Sequence, residues 1–368
     1  MTRTSSSRRR QWGAVIIFLA VAAGACGSND NSAKSASGSS TTQATQAGTC
    51  ASGSASGAGS TFVANLAQQW IKDFAAACPG ATVNYQSVGS GAGIQQLTAG
   101  TVDFAGSDVA MKDAEQTAAE AKNGPVLHIP WTAGAIAVET NVSGAKGIKL
   151  SGDTLAGIFA GKITKWNDPA LKADNTGASL PAEGIQVIHR SDGSGTTAAF
   201  TAYLTAAAPA TWTFGAAKDV PWPTGQGAKG SDGVTAAVKQ TEGAIGYAEL
   251  SFAKASSLGI AQIKNAYGSF VAPSAAGVSA ALKDATVPAD LKVKINYKPT
   301  DAAAYPISTT TFVIVAQKPV NLAKGKLIKA FVLYALGRGQ NAAEGLDYAP
   351  LPSSLLDQAK TAASSIQA

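Results

Sequence analysis

An arginine is followed at once by a turn of glycines and hydroxyl residues in the run from Val187 to Thr197, whose letters are VIHRSDGSGTT. The largely apolar residues Ile185 to Ile188 predict a buried strand that delivers Arg190 at its end, and a helical pattern begins at Thr197. A turn between a strand and a helix start leaves main-chain N–H groups unpaired beside the guanidinium, and both favour a bound oxyanion. The run therefore predicts anion binding, for which no catalysis is required.

Two other segments share this order of extended run, glycine-rich turn and helix. The first, Ser56 to Phe62, leads into a helix that Pro79–Gly80 ends, with a predicted buried face of Phe62, Leu66, Trp70 and Phe74. The second is an alternating strand from Thr82 to Val88, followed by Gly89–Gly93 and a short helix. Each turn presents N–H and hydroxyl groups at a helix start, where the helix dipole favours an anion. Three helix starts are thus predicted to share one site.

A carboxylate ends the next predicted strand, Thr101 to Asp108. Asp108 has two interpretations: it caps the helix predicted from Met111 to Ala121, or it faces the anion. A carboxylate accepts hydrogen bonds and cannot donate them, so it favours an anion that still carries a proton. Phosphate keeps a proton at neutral pH and sulfate does not, so Asp108 would select phosphate. A second carboxylate, Asp192, is placed to pair with Arg190.

Serine hydrolase chemistry does not fit this turn. The nucleophile motif G-x-S-x-G requires glycine two positions either side of Ser194, where the chain has Asp192 and Thr196. His189 is next to Arg190, so on a strand the two side chains point to opposite faces. Ser194 is therefore left without a base.

Nucleotide-binding and metal motifs do not fit either. The run from Gly225 to Ser231 has the residue types of a P-loop in the wrong order. The alternating glycines after Val88 bring the third glycine one residue too early for a dinucleotide fingerprint, and only His128 and His189 could join the cysteines in a metal site. We expect a binding protein that is not an enzyme and uses no cofactor and no metal.

The charge of the chain argues against a nucleic-acid partner. The 368 residues have a formal net charge of +6, but four arginines (Arg3, Arg8, Arg9 and Arg10) lie in a segment that we expect to be removed. Without them 25 basic residues oppose 23 acidic ones, a net charge of +2. A nucleic-acid-binding domain would carry a basic stripe on its folded part.

The first residues predict export. Residues 1–25 have the positive start, short apolar stretch and small final residues of a signal peptide, and Cys26 follows directly. A cysteine there predicts a lipidated protein held at the outer face of the cytoplasmic membrane. Ala23 stands where the lipidation motif usually has leucine, so a secreted soluble protein is the alternative. Residues 26–49 are rich in Ser, Thr, Ala and Gly and predict a flexible linker.

Two further cysteines, Cys50 and Cys78, follow this linker. In an exported protein a lone pair of cysteines is expected to form a disulfide. Two buried free thiols are the alternative.

The remaining chain alternates strands with helices, which predicts an α/β fold. Strand-like runs from Val126 to Val138 are interrupted by Pro130–Thr132, where we expect the chain to cross between domains. A β-branched run from Ile307 to Val315 predicts a buried strand that returns to the first domain. On this basis we place lobe I at residues 50–131 plus 305–368 and lobe II at residues 132–304.

Six collinear motifs cover nearly all of the chain after Cys50. They are Gly57–Phe62 (GAGSTF), Val83–Gln86 with Gly89–Gly91 (VNYQ, GSG), Val102–Asp108 (VDFAGSD), Arg190–Thr196 (RSDGSGT), Gly243–Tyr247 (GAIGY) and Tyr305–Thr310 (YPISTT). With them the chain resembles the periplasmic or lipid-anchored phosphate-binding proteins of bacterial ABC phosphate importers. The resemblance implies a two-lobed α/β fold of the periplasmic-binding-protein type (type II), with the ligand in a cleft between the lobes. It implies a monomer that captures inorganic phosphate outside the membrane and delivers it to an ABC permease.

The resemblance also assigns the phosphate contacts, position by position. It implies contacts from Thr61, Phe62, Ser90, Asp108, Arg190, Ser194, Gly195 and Thr196, with Asp192 as the support of Arg190. Gly91 stands where the family often has a second serine, so one hydroxyl donor is lost there. The alternatives are a receptor for another tetrahedral oxyanion (sulfate, molybdate or arsenate) and an exported phosphatase.

Overall fold

The computed structural model describes residues 50–143 and 147–368. The predicted signal peptide, the lipidation site Cys26 and the linker 26–49 lie outside the described residues. Among the helices in the described part, none has the length and apolar character needed to cross a membrane.

Strands and helices alternate along most of the described chain. The strands are β1 (Gly53–Gly59), β2 (Ala81–Ser87), β3 (Phe104–Ser107), β4 (Val126–Asn141), β5 (Lys149–Leu150), β6 (Gln186–Arg190), β7 (Gln226–Ala228), β8 (Ala244–Glu249), β9 (Gly259–Ile260), β10 (Gln262–Lys264), β11 (Phe270–Val271), β12 (Ser308–Ala316) and β13 (Tyr348–Ala349). The α-helices are α1 (Ala64–Ala77), α2 (Ser90–Ala99), α3 (Asp113–Asn123), α4 (Gly152–Phe159), α5 (Pro169–Asp174), α6 (Gly195–Ala207), α7 (Gly230–Gln240), α8 (Leu250–Ala255), α9 (Ala275–Leu282), α10 (Leu322–Ala335) and α11 (Ser353–Ser364). Two short 3₁₀ helices cover Arg338–Ala342 and Glu344–Leu346.

The larger of two sheets is mixed. Its strands lie in the order β2-β1-β3-β12-β4-β8-β6-β7, and β13 and β9 also pair with β4. β1 is parallel to β2 and β3, and β6 is parallel to β7 and β8, whereas β12 and β4 are antiparallel to their neighbours. The smaller sheet has the order β11-β10-β5. This arrangement confirms the predicted α/β class.

The predicted interruption at Pro130–Thr132 is wrong, because β4 is one continuous strand of 16 residues. Its partner β12 pairs Phe312 with Pro130 and Thr311 with Thr132, so a bulge takes Trp131 out of register. A bulge tolerates a proline, which cannot donate to the ladder. β4 pairs with β12 up to Ala135 and with β8 beyond it. The division into two lobes at β4 and before β12 stays a prediction.

The predicted buried face of α1 is confirmed. Leu66, Trp70 and Phe74 are buried, as is Phe62 in the turn before the helix. Trp70 packs against Trp131 of the central strand with ring centroids 5.2 Å apart. This contact ties the first helix to the middle of the sheet and fixes the turn that precedes α1.

The structure contains the disulfide predicted between Cys50 and Cys78. It joins the residues just before β1 to the residue that ends α1. The two cysteines are 28 residues apart in sequence, so the bond closes one strand–helix unit, β1 and α1.

Two helix starts differ from the sequence-based expectation. α3 begins at Asp113 with Lys112 as its N-cap, so the interpretation of Asp108 as a helix cap is wrong. α6 begins at Gly195, two residues before the predicted start, because the side chain of Ser194 caps it by accepting a hydrogen bond from the N–H of Thr197.

Candidate anion-binding site

The topology brings the ends of two neighbouring strands, β1 and β3, to one side of the sheet. β1 and β3 are parallel neighbours in register from Gly57 with Phe104, so the turns that follow them lie side by side. The N–H of Ser60 donates to the carbonyl of Gly106 over 2.9 Å, which joins the two turns. Ser60 is therefore placed next to Asp108, the residue that follows β3.

Asp108 lies at the centre of the site and is only 2% exposed. Its Oδ1 accepts hydrogen bonds from the hydroxyls of Ser60 at 2.5 Å and Thr311 at 3.0 Å, and its Oδ2 accepts from Thr196 at 3.2 Å. Burial raises the pKa of Asp108, although these hydroxyls and the charge of Arg190 oppose the shift. Asp108 and Thr196 were predicted as site residues, whereas Ser60 and Thr311 were not.

Arg190 ends β6 and is 2% exposed. Asp192 holds its guanidinium through two bonds, Nε to Oδ1 at 2.7 Å and Nη2 to Oδ2 at 2.5 Å. Burial raises the pKa of Asp192, but the hydrogen bonds and charge of Arg190 outweigh it and the net shift is downward. Asp192 also accepts the N–H of Gly230 at the start of α7 over 3.0 Å. The carboxylate of Asp192 therefore fixes the orientation of the Arg190 guanidinium.

Tyr247 supports the main chain of Arg190. Its hydroxyl accepts the N–H of Arg190 at 3.3 Å and lies 2.7 Å from the hydroxyl of Thr197. The ring stacks on Phe200 of α6 with centroids 4.3 Å apart. Tyr247 thus connects the end of β6 with the start of α6, a role that its motif in the sequence did not reveal.

The starts of α2 and α6 touch each other. Ser90 Oγ accepts the N–H of Gly195 at 3.1 Å and the N–H of Asp108 at 3.4 Å, and the N–H of Gly91 donates to the carbonyl of Gly193 at 2.8 Å. A side chain at Gly195 would clash with Ser90 and Asp108. Main chain and hydroxyl groups from distant parts of the sequence are thereby held within hydrogen-bond distance.

The eight predicted ligand residues are all buried. The N–H of Phe62 donates to Ser60 Oγ at 3.0 Å and that of Ser194 to the carbonyl of Lys218 at 2.8 Å, so these two donors have protein partners. Within residues 50–143 and 147–368, no hydrogen bond involves the N–H of Thr61, Ser90 or Thr196. These three N–H groups, each in a turn or at a helix start, are suited to an anion.

The start of α7 is a fourth helix start at the site, in addition to the three predicted ones. The N–H of Ser231 donates to Thr61 Oγ1 at 3.1 Å, and the two hydroxyl oxygens are 2.9 Å apart. The N-cap of α7 is Lys229 and the helix begins at Gly230, so Ser231 lies in its first turn. The glycine-rich loop before it was the only signal in the sequence.

Comparison with known proteins identifies the family. A model of the PBP superfamily domain matches residues 44–338. The chain is 39% identical over 367 residues to the phosphate-binding protein PstS 3 of Mycobacterium leprae, covering 97% of this chain and 99% of that protein. PstS 3 of Mycobacterium tuberculosis is 38% identical over the same shares. The chain belongs to the PstS family of phosphate-binding proteins.

Solved structures support the fold of this PstS-family chain. A high-affinity periplasmic phosphate-binding protein, PfluDING, aligns with a TM-score of 0.71 at 24% identity, over 84% of this chain and 93% of that one. A putative phosphate ABC transporter substrate-binding protein from Clostridium perfringens aligns with a TM-score of 0.58 at 20% identity, over 82% and 100%. These alignments confirm the predicted periplasmic-binding-protein-like fold.

The two histidines of this PstS-family chain make their contacts away from Ser194. His189 stacks on Trp222 with centroids 4.8 Å apart, and its Nδ1 lies 3.0 Å from the carbonyl of Arg190. His128 accepts the N–H of Met111 at 3.1 Å. Neither histidine is hydrogen-bonded to Ser194 in the described part of the chain, so Ser194 acts as a helix cap and a potential donor.

Proposed function

We propose that the protein binds inorganic phosphate outside the cytoplasmic membrane and delivers it to an ABC-type import permease, without catalysis. The observation that carries this proposal is a buried carboxylate, Asp108, at the same site as a buried arginine and three N–H groups available to an anion. Membership of the PstS family supports the ligand and the transport role. No chemistry on the anion is needed for this function.

Attraction comes from Arg190 and the helix starts. The guanidinium is held in a fixed fork by Asp192, so little side-chain entropy is lost when an oxyanion binds. Donors from Thr61, Ser90 and Thr196 add hydrogen bonds that need no net charge. The site can thus bind an oxyanion although it contains two carboxylates.

Selection comes from Asp108. Its carboxylate accepts a hydrogen bond from a ligand that carries a proton, as phosphate does at neutral pH. Sulfate has no such proton and would place two negative groups in contact in a buried site. Sites that hydrogen-bond a ligand proton reject analogues without it by on the order of 10⁴-fold. Asp108 therefore acts as the filter for phosphate.

Binding closes the cleft between lobe I (residues 50–131 plus 305–368) and lobe II (residues 132–304). The chain passes between these parts in β4 and before β12, which would serve as the hinge. Cross-cleft contacts such as Gly91 with Gly193 then form around the ligand. The eight residues assigned by the family resemblance are its proposed contacts. The N–H groups of Phe62 and Gly195 donate to Ser60 Oγ and Ser90 Oγ, so these two would share their donors with the ligand.

Residues 1–25 direct export and Cys26 carries the lipid that holds the protein at the outer face of the membrane. The small residues before Cys26 support this assignment. Cys26→Ala should move the protein from the membrane fraction to the medium. Wild-type protein found mainly in the medium would favour secretion in soluble form instead.

Titration calorimetry at neutral pH tests the function. We expect the purified protein to bind phosphate tightly and to bind sulfate and molybdate, which carry no proton at neutral pH, more weakly. Arg190→Ala should weaken phosphate binding by roughly 100-fold or more, because a buried charge-assisted contact is lost. The exposed Arg338→Ala is the matched control and should bind as the wild type does. Sulfate bound as tightly as phosphate, or no anion bound, would overturn the proposal.

A further inference from the structure

We propose that Ser60 and Thr311 are positioning residues for anion selection: they occupy Oδ1 of Asp108, hold the side chain as an acceptor, and leave Oδ2 for the ligand's proton. This inference rests on the proposed phosphate binding. It extends the site to two residues that lie outside the predicted ligand set.

The hydroxyl proton of Ser60 has one direction available. Its Oγ accepts the N–H of Phe62 at 3.0 Å, so its own proton points to Asp108 Oδ1 at 2.5 Å. The main chain of Ser60 is fixed as well, because its carbonyl accepts the hydroxyl of Tyr85 at 2.9 Å and its N–H donates to Gly106. Ser60 is therefore an oriented donor rather than a rotating one.

Thr311 supplies the second donor from β12. Its Oγ1 donates to Oδ1 of Asp108 at 3.0 Å, and the residue is fully buried in the centre of the sheet. Two residues earlier, Thr309 donates to the main-chain carbonyl of Asp108 at 2.9 Å. β12 thus donates hydrogen bonds to two atoms of Asp108, its main-chain carbonyl oxygen and Oδ1. Of these two bonds, the one from Thr311 is to the carboxylate.

These contacts give the two carboxylate oxygens of Asp108 different roles. Among the residues that the structure describes, Oδ1 accepts two hydrogen bonds, which fill its usual capacity, whereas Oδ2 accepts only that of Thr196. One acceptor position remains on Oδ2. A ligand that donates a proton can use it, and a ligand without a proton meets a fixed negative charge.

The same hydroxyl donors oppose the effect of burial on the pKa of Asp108. Burial raises the pKa of Asp108, and the Ser60, Thr311 and Thr196 hydroxyls together with Arg190 on β6 lower it. The other titratable groups that face it are Tyr85 on β2 and Tyr348 on β13, whose pKa values burial raises well above the ordinary range, so both are uncharged. Asp192 is paired with Arg190. Loss of either Oδ1 donor should therefore let Asp108 take up a proton at a higher pH.

A protonated Asp108 is a donor, and it would then tolerate sulfate. Phosphate and sulfate affinities should be measured by calorimetry between about pH 5.5 and pH 8.5 for the wild type, Ser60→Ala and Thr311→Val. At the same acidic pH the phosphate-to-sulfate preference should fall about tenfold or more in each variant. The pH at which the preference declines should rise, because the hydrogen bonds that lower the pKa of Asp108 are lost.

Two control variants distinguish a role in positioning the Asp108 carboxylate from a general disruption of the site. Thr309→Val removes a hydroxyl that bonds the main chain of Asp108 and should leave the pH profile unchanged. Thr311→Ser keeps the hydroxyl and should restore wild-type preference. Wild-type pH profiles in both Ser60→Ala and Thr311→Val, or an equal change in Thr309→Val, would overturn this inference while phosphate binding stands. A wild type that binds no phosphate would instead overturn the proposed function.

Discussion

Asp192 holds Arg190 through two parallel hydrogen bonds, at 2.7 and 2.5 Å, although the two residues are separated by one position only. The arginine side chain is 1% exposed and that of the aspartate 13%. The pair lies beside the start of α7, whose Gly230 donates its N–H to Asp192. Without the carboxylate of Asp192, the buried guanidinium of Arg190 would be mobile and its positive charge would have no compensating negative charge.

Asp192→Asn should weaken phosphate binding by about tenfold to 100-fold, because the amide cannot hold both nitrogens of Arg190. Affinity is measured by calorimetry. The exposed Asp290, paired with Lys292 at 3.3 Å across the same spacing, gives the matched control Asp290→Asn. Equal affinities for Asp192→Asn and the control would contradict the role of Asp192.

Gly195→Ala should abolish phosphate binding with little loss of fold. The added Cβ would lie 2.6 Å from Ser90 Oγ and 2.8 Å from the N–H nitrogen of Asp108, so the turns would be pushed apart. At Gly345 a Cβ meets nothing within 4 Å, which makes Gly345→Ala the control. Calorimetry and thermal unfolding of both variants check this. Tight phosphate binding by Gly195→Ala would show that the turns need not approach so closely.

An ion pair joins α3 to the segment after α6. Lys218 Nζ lies 2.5 and 2.6 Å from the two carboxylate oxygens of Glu115, and the carbonyl of Lys218 accepts the N–H of Ser194. Because residues 115 and 218 fall in different predicted lobes, the pair would stabilise the closed cleft.

Glu115→Gln should therefore release phosphate several-fold faster at low salt, with a smaller effect at high salt, where charges are screened. Stopped-flow release measures the rate. The exposed pair of Lys283 with Asp301 provides the control Asp301→Asn. Release at the wild-type rate at low salt would exclude a closing role for this pair.

Glu139 makes the stability pH-dependent. It is fully buried on β4, where Thr235 donates to Oε2 at 3.0 Å, and burial raises its pKa to about 8. Between its ordinary pKa and about 8 the folded chain keeps a proton that the unfolded chain has lost, so this contribution to stability falls as pH rises.

Glu139→Gln removes the buried charge that forms at alkaline pH. Relative to the wild type it should therefore gain stability on going from about pH 5 to pH 8.5, by on the order of 3 kcal/mol. Urea unfolding at both pH values measures the free energy, with the exposed Glu344→Gln as control. A difference between Glu139→Gln and wild type that is the same at both pH values would contradict the assignment.

Local sequence pattern predicted the strand–turn–helix units, because the residues that form each unit are consecutive. Arg190, Asp192 and Ser194 could be recognised within one turn for that reason. Ser60, Thr311 and Ser231 could not, since their partners are 48, 203 and 170 residues away and depend on strand order. A threonine in a buried strand looks the same whether it bonds a carboxylate or its own main chain.

At Pro130 the local sequence predicted a feature, a break in the strand, that the structure does not have. A proline in an apolar run suggests a break, but a bulge lets β4 continue through it. The pairing partner that creates the bulge, β12, lies far along the chain. Helix bounds shifted for a similar reason, because caps such as Ser194 act at single positions that periodicity does not resolve.

The central claim is that Asp108 selects a ligand that carries a proton. Its most direct test is the ratio of phosphate to sulfate affinity at neutral pH in the wild type and in Asp108→Asn, measured by calorimetry. We expect a large ratio for the wild type and a ratio reduced at least about tenfold for Asp108→Asn, because an amide can donate to sulfate. An unchanged ratio in Asp108→Asn would contradict it.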